Sequence, residues 1–534
     1  MILDNVLSVV NRKNLPVLLV GGAVLLFLVL VGAWSPVKAI AVMAAGLACI
    51  ATFRRPEATI LFLAAYIPLE PFLLKFVSDD LYVYARYFSE VLIYVLCAVS
   101  AWRLVLHRAR MPQGRVIGLL GALSLVMIVS WIYNVTPVSV AVLGIRQIIR
   151  FILLFLAVLV LQPSQRFMQR VLVTVGLVAG FEAVLALAQV VIGSTLDEIL
   201  LPSQRHFFED VQLTTGTAQF WESGQRVFGT LGRYDQLGNF LCFVLLFLLA
   251  AWYELRSKIS WRWFAAAGVL GGAALVMTYS RAAWFGCILG VGLISLMIKR
   301  DRWVMGLVGV GLIAIGGYIA YFSAILPYLI DQPSQTIVER FFEAFSPARW
   351  RGEYDGLGRV YFLVNTPLKV VASSPLVGVG PGSFGGGAAA ALHYTAVYDR
   401  LQLPFGIYGT EGHIDNNWFS LWGELGTVGV GLYVLILMSL GRIAYHLYRR
   451  SKDAFDRMLG LGFLGFLIAL TLQGFVATNF EVRTLALFFW LAAAFVAVRY
   501  EATRSDVSRD LGEKHKIKTQ RQASLSAAHV HAKV

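Results

Sequence analysis

Apolar runs long enough to cross a bilayer recur along this chain. One of them reads LPVLLVGGAVLLFLVLVGAW, from Leu15 to Trp34. A run of about 18 or more apolar residues spans the hydrocarbon core as a helix. The helix is dictated because a helix satisfies its own backbone groups where water cannot reach. Alternating segments of about ten residues, the mark of a membrane β-barrel, do not occur. With 58% hydrophobic and only 14% charged residues in 534, a soluble fold is excluded. The pattern predicts helices over 15–33, 36–53, 58–78, 88–104, 116–133, 141–161, 170–192, 236–253, 262–279, 282–298, 303–323, 416–440, 458–478 and 483–500. The third is interrupted by Pro68, Glu70 and Pro71, so a bent element is expected there. The fold class is therefore an all-α integral membrane protein of about 12–14 transmembrane helices, with a large, partly helical external loop between helices 11 and 12.

Charge sets the expected orientation. The net charge is +14, and basic residues crowd the segments around Arg12, Arg54, Arg103–Arg115, Arg166–Arg170, Arg256–Arg262, Lys299–Arg302, Arg442–Arg457 and the tail. In a membrane protein such loops are cytoplasmic and lie beside anionic lipid, so no nucleic-acid partner is implied. Both termini are then expected in the cytoplasm, with loops 193–235 and 324–415 outside. The domain plan is a bundle over 1–323, a large external catalytic loop over 324–415, C-terminal helices over 416–500, and a polar basic tail over 501–534 expected to be disordered. The opening residues are too polar for a cleavable signal. Cys49, Cys97, Cys242 and Cys287 all fall in helices and read as packing residues. No internal repeat supports an inverted-repeat transporter.

The informative charges stand on the unexpected side. Arg146 and Arg150 share one helix face in GIRQIIRF. Arg226 and Arg233 lie in ESGQRVFGTLGRYDQLGN, Arg281 lies in TYSRAAW, and Arg359 leads the helical part of the large loop. One such arginine snorkels to the interface. Several at one depth repel one another and call for an anion, or for carboxylates such as Glu222, Asp235, Asp415 and Glu424. A diphosphate suits forked guanidinium groups beside an apolar groove.

The large loop carries the remaining signals. LGRVYFLVNTPLKVVASSP reads as an amphipathic helix ended by Pro375, with Pro367 forcing a kink or two short helices. PLVGVGPGSFGGG follows as a turn whose glycines allow close approach. It is not a nucleotide loop, since no strand precedes it and no GKS or GKT follows. In GTEGHIDNNWFSLWGELG, Asp415 and Asn416 sit at a helix start, where capping is the ordinary role. Glu424 lies about two turns further on, inside a membrane helix, and needs a partner. Asp415 and His413 are both candidates for a base that deprotonates an acceptor hydroxyl.

These residues resemble the O-antigen polymerase and ligase family of bacterial membrane glycosyltransferases, which includes exopolysaccharide polymerases. The likeness rests on Ser280–Arg281 at a helix junction, on Arg359 followed by Pro375 to Phe384, and on Asp415–Asn416 ahead of Trp422, Glu424, Gly426 and Gly429. It spans roughly 140–500. The resemblance implies inverting transfer of a glycan from an undecaprenyl diphosphate carrier to a hydroxyl, at the periplasmic face of the bacterial inner membrane. It implies no metal and no other cofactor. Asp415, His413, Arg281 and Arg359 would be catalytic. Arg146, Arg150, Arg226, Arg233, Asn416 and Glu424 would bind diphosphate or glycan. The acceptor would be a growing glycan or lipid A core, with membrane lipid around the protein and a chain-length regulator as partner. In ligases of the family a histidine directly precedes the asparagine. Here that position is Asp415, and the Asp-Asn form resembles a polysaccharide polymerase more than a ligase. A transporter of lipid-linked glycan is the reading from another class.

Overall fold

A computed structural model describes residues 36–106, 114–202, 207–208, 211–212, 226–321, 336–407 and 410–504. The helix expected over 15–33, Glu222, and the tail beyond Arg504 lie outside the described residues. The first part of the chain forms α1 (Pro36–Arg54), α2 (Pro56–Leu73), α3 (Asp79–Leu106), α4 (Arg115–Asn134), α5 (Val138–Leu161), α6 (Gln165–Ile192) and the short α7 (Ser194–Leu200). Then come α8 (Tyr234–Leu255), α9 (Trp261–Met277), α10 (Arg281–Gly292) and α11 (Arg302–Tyr321). The loop region holds α12 (Ile337–Phe342), α13 (Pro347–Asp355), α14 (Arg359–Asn365), α15 (Gly387–Ala391) and α16 (Ala396–Leu401). The chain ends in α17 (Asn417–Arg450), α18 (Ala454–Gln473) and α19 (Arg483–Arg504). Two hairpins of two-residue strands, Phe207–Phe208 with Val211–Gln212 and Gly406–Ile407 with Thr410–Glu411, are the strands among the described residues.

Among the described residues, ten helices are long and apolar enough to cross a membrane, and two shorter apolar helices accompany them. The protein is an all-α, multi-pass integral membrane protein. Its centre is α19, where every residue from Leu485 to Val498 is buried. A helix apolar all round belongs in the middle of a bundle. Beside it, α18 packs on α8, α10 and α17, while α17 also packs on α4. Phenylalanines interlock these layers, as in the stack of Phe240 on Phe488 at 5.1 Å.

The third expected helix keeps its two prolines inside one helical element. α2 runs through Pro68 and Pro71, and only Leu74–Phe76 tightens into a 3₁₀ turn. Glu70 is buried there because it is paired, accepting from Arg483 at 3.0 Å and from Ser89 at 2.7 Å. The start of α5 also differs. Pro137 is its N-cap residue, so the helix begins at Val138, and Arg146 and Arg150 lie two to three turns inside it.

Two loop elements position the site. At Pro367 the expected pair of short helical elements occurs: α14 ends at Asn365 and a π-turn follows over Thr366–Val371, with Pro367 in its first turn. The wider turn leaves room for a residue without an N–H. α17 kinks at Gly426, whose backbone takes φ 65° and ψ −173°. A side chain at that φ is strained, and a Cβ would meet the Leu376 carbonyl. The kink strands backbone groups that the turn run then satisfies. Val379 and Gly380 N–H donate to the Gly423 and Glu424 carbonyls at 2.9 and 3.1 Å. Thr427 N–H donates to the Pro375 carbonyl at 2.9 Å. The glycine-proline run is thus laced to the membrane helix by backbone pairing.

Candidate active site

Arg281 is the first residue of α10, Arg233 is the N-cap residue of α8, and Arg359 opens α14. Neither α8 nor α10 has a side-chain cap on its N-terminus. A cation at the positive end of a helix dipole is unfavourable, so these positions require negative charge nearby. All three arginines line one cavity of about 540 Å³. Arg340 and Arg349 join them on its wall, with Asp235, Glu353 and Asp415. Much of the remaining lining is apolar, including Phe285, Leu289, Leu363, Leu472, Phe475 and Val476.

The charges are paired. Arg233 forks onto Asp235 at 3.0 and 2.9 Å. Arg359 reaches Asp415 at 2.9 Å, and its own backbone N–H donates to Glu353 at 3.0 Å. Arg349 bonds Glu353 at 2.5 Å. Glu343, fully buried behind the wall, lies 3.0 Å from both Arg281 and Arg340 and 3.4 Å from Arg349. The Nε of Arg359 is buried and finds no acceptor among the described residues. Burial works against the Arg359 charge, but Asp415 and Glu353 outweigh it, and the guanidinium is held charged.

Asp415 is released from the ordinary task of its position. Asn416 caps α17, accepting from the Phe419 N–H at 3.0 Å and donating to the Phe475 carbonyl at 3.0 Å. Asp415, one residue earlier, takes a left-handed backbone with φ 46°. Aspartate tolerates that region better than most residues, and it turns the carboxylate to the cavity. Burial pushes the Asp415 pKa up. Arg359, by charge and hydrogen bond, then His413 and Arg233, pull it below the ordinary carboxylate value. His413 does not line the cavity. Burial lowers its pKa, against the pull of Asp415 and with that of Arg233, which favours a neutral ring.

The remaining candidates lie elsewhere. Arg226 is buried with its guanidinium 5.1 Å from the ring of Tyr234, a cavity residue. Arg146 and Arg150 are away from the cavity and share Glu90 on α3. Arg146 binds it in two-pronged fashion at 2.5 and 2.6 Å, and Arg150 at 3.4 Å. Glu424 does not face the arginines. Its carboxylate faces the backbone N–H groups of Gly382 and Phe384 and shares a small pocket with Glu481. Of the carboxylates expected to balance the arginines, Asp235 and Asp415 do so.

Sequence reasoning missed Glu343, Arg340 and Arg349. Their signal was present in VERFFEAFSPARWRGEY, where charges alternate with aromatic residues at helical spacing. A polar loop hides such residues because they do not stand out against apolar surroundings.

The site and fold define a multi-pass membrane protein with an arginine-lined cavity at the mouth of its bundle. Residues 266–434 match the family model described as O-Antigen ligase. That match supports the O-antigen polymerase and ligase family, and with it a polymerase or ligase type of function. The matched segment contains Arg281, Arg359, the glycine turn and Asp415. No curated protein matches the chain.

Proposed function

We propose that this chain polymerises undecaprenyl-diphosphate-linked oligosaccharide repeat units into a surface polysaccharide. The reaction would take place at the periplasmic face of the inner membrane, with both termini in the cytoplasm. The observation that carries the reading is the convergence of Arg233, Arg281 and Arg359 from the starts of three helices on one cavity. The arginines and the helix starts favour an anion with delocalised charge. The apolar wall suits the polyprenyl chain that carries it.

The chemistry follows from those positions. An acceptor hydroxyl attacks the anomeric carbon from the face opposite the diphosphate. Its proton passes to Asp415, the new C–O bond forms, and the bond to the phosphate oxygen breaks with inversion. The electron pair leaves with the diphosphate, whose growing charge the guanidinium groups stabilise. Asp415 is favoured over His413 as base because it lines the cavity and is held ionised by Arg359. Glu424 holds the glycine turn through the Gly382 and Phe384 N–H groups, and a chain-length regulator would be a partner in the membrane.

A second reading is a ligase using the same donor, a type of function that the matched family supports as well as it supports a polymerase. One assay separates them. The purified protein is given only undecaprenyl-diphosphate repeat unit. A ladder of longer glycans on the lipid supports the polymerase. Transfer that begins only when lipid A core is added means the ligase. Binding without transfer in either case would replace both by a carrier of the lipid-linked glycan.

A further inference from the structure

Glu343 has no place in that chemistry, yet it meets three of the arginines that line the cavity. Its Oε2 lies 3.0 Å from Arg281 Nη1 and 3.0 Å from Arg340 Nη1, and its Oε1 lies 3.4 Å from Arg349 Nη1. The three arginines come from α10, α12 and α13, and all line the cavity. Glu343 is fully buried and stands behind them. Its turn, Glu343–Phe345, is pinned by aromatic rings: Phe285 of α10 lies 5.2 Å from Phe341 and 6.0 Å from Phe345. The anchor fixes the carboxylate independently of any ligand.

One carboxylate against three guanidiniums does two things. It gathers arginines that would otherwise repel each other, and it lowers the positive potential that they present. The second effect matters for a reaction whose product bears more negative charge than its substrate. Without a counterweight, the diphosphate product would be held more tightly than the donor.

We propose that Glu343 is a positioning residue that aims Arg281, Arg340 and Arg349 and weakens their grip on the leaving diphosphate, so that the product departs. This rests on the diphosphate reading above. The substitution Glu343→Gln keeps the shape and an oxygen to which Arg281 and Arg340 can donate, so their aim is retained while the charge is removed. Binding of undecaprenyl diphosphate, without sugar, is measured on the intact purified protein at matched ionic strength. The variant binds about tenfold tighter, the scale of one uncompensated charge at this range, while kcat falls. A purely structural carboxylate would give the opposite, since splayed arginines bind an anion less well. Equal or weaker binding by folded Glu343→Gln overturns the proposal.

Should that variant fail to fold, the same substitution is read in Arg340→Gln, where two guanidiniums remain around the site. Affinity again rises relative to Arg340→Gln alone, and unchanged or lower affinity overturns it. If the native protein does not bind undecaprenyl diphosphate at all, the diphosphate reading fails first and this inference with it.

Discussion

Asn416 caps α17 and Asp415 does not: the Asn416 side chain accepts from the Phe419 N–H at 3.0 Å, and the Asp415 carboxylate reaches Arg359 at 2.9 Å instead. From sequence alone, capping explained Asp415 as well as catalysis did. Two adjacent residues that could each cap leave the question open, and the backbone decides it. The left-handed φ of Asp415 takes its side chain out of the capping direction. What remains for that carboxylate is the cavity.

Asp415→Asn is therefore expected to lower transfer by about 10²–10⁴-fold, the range for loss of a general base. The protein should still insert, since Asn416 holds the helix start. His413→Ala is expected to keep more than half of the activity. Initial rates of glycan extension on the lipid carrier check both, and the reverse order of effects would make His413 the base.

The acid limb of the pH profile follows from the same pair. Burial raises the Asp415 pKa, and Arg359, joined by His413 and Arg233, more than reverses it. The folded pKa is depressed, so the ionised form and the stability of the pair are present at neutral pH. Both are lost as pH falls through the folded value, below the ordinary carboxylate range. Removing the guanidinium in Arg359→Gln takes away the largest downward pull. The acid limb of kcat/KM then moves to higher pH, and a limb that stays in place would dissociate Asp415 from the profile.

Arg281→Ala and Arg359→Ala are each expected to lower turnover steeply, without removing it altogether, while the chain inserts normally. Each removes a group aimed at developing charge, worth about 10²–10³-fold for one such donor. Full rates from both variants, at native expression, would remove the diphosphate site. Arg146→Gln differs. It leaves the buried Glu90 with the Tyr94 hydroxyl at 2.6 Å and the longer contact to Arg150 at 3.4 Å, so the loss should be in thermal stability, about 3 kcal/mol, the low end for a broken buried pair.

How much of this was legible in the chain can be judged from particular residues. The helices were legible because a bilayer imposes a length on apolar runs. Arg233, Arg281 and Arg359 were legible because charge is costly beside apolar surroundings. That Arg146 and Arg150 answer to Glu90 was not, since their pairing joins α5 to α3 across 56 to 60 positions and no local pattern encodes it. Glu343 was hidden for the opposite reason, as one charge among many in a polar loop. The role of Glu424 needed the kink, because only the docked turn brings the Gly382 and Phe384 N–H groups to it.

Gly426 offers the sharpest test of that docking. Its φ of 65° favours glycine, and the Leu376 carbonyl fills the space of a Cβ. Gly426→Ala is expected to cost about 1–3 kcal/mol for a positive-φ, extended-ψ backbone that is essentially restricted to glycine, with the clash in addition. The consequence reaches beyond stability. If α17 straightens to relieve the strain, its carbonyls at Gly423 and Glu424 recover helical partners and release Val379 and Gly380. The glycine-proline run then loses its anchor, while α14 and Asp415 are held to opposite ends of that run. A Tm lowered by several degrees, with activity lost well below the Tm, would mark the turn as the device that holds Arg359 against Asp415. A lower Tm with full activity at permissive temperature would show that the pair is positioned without it.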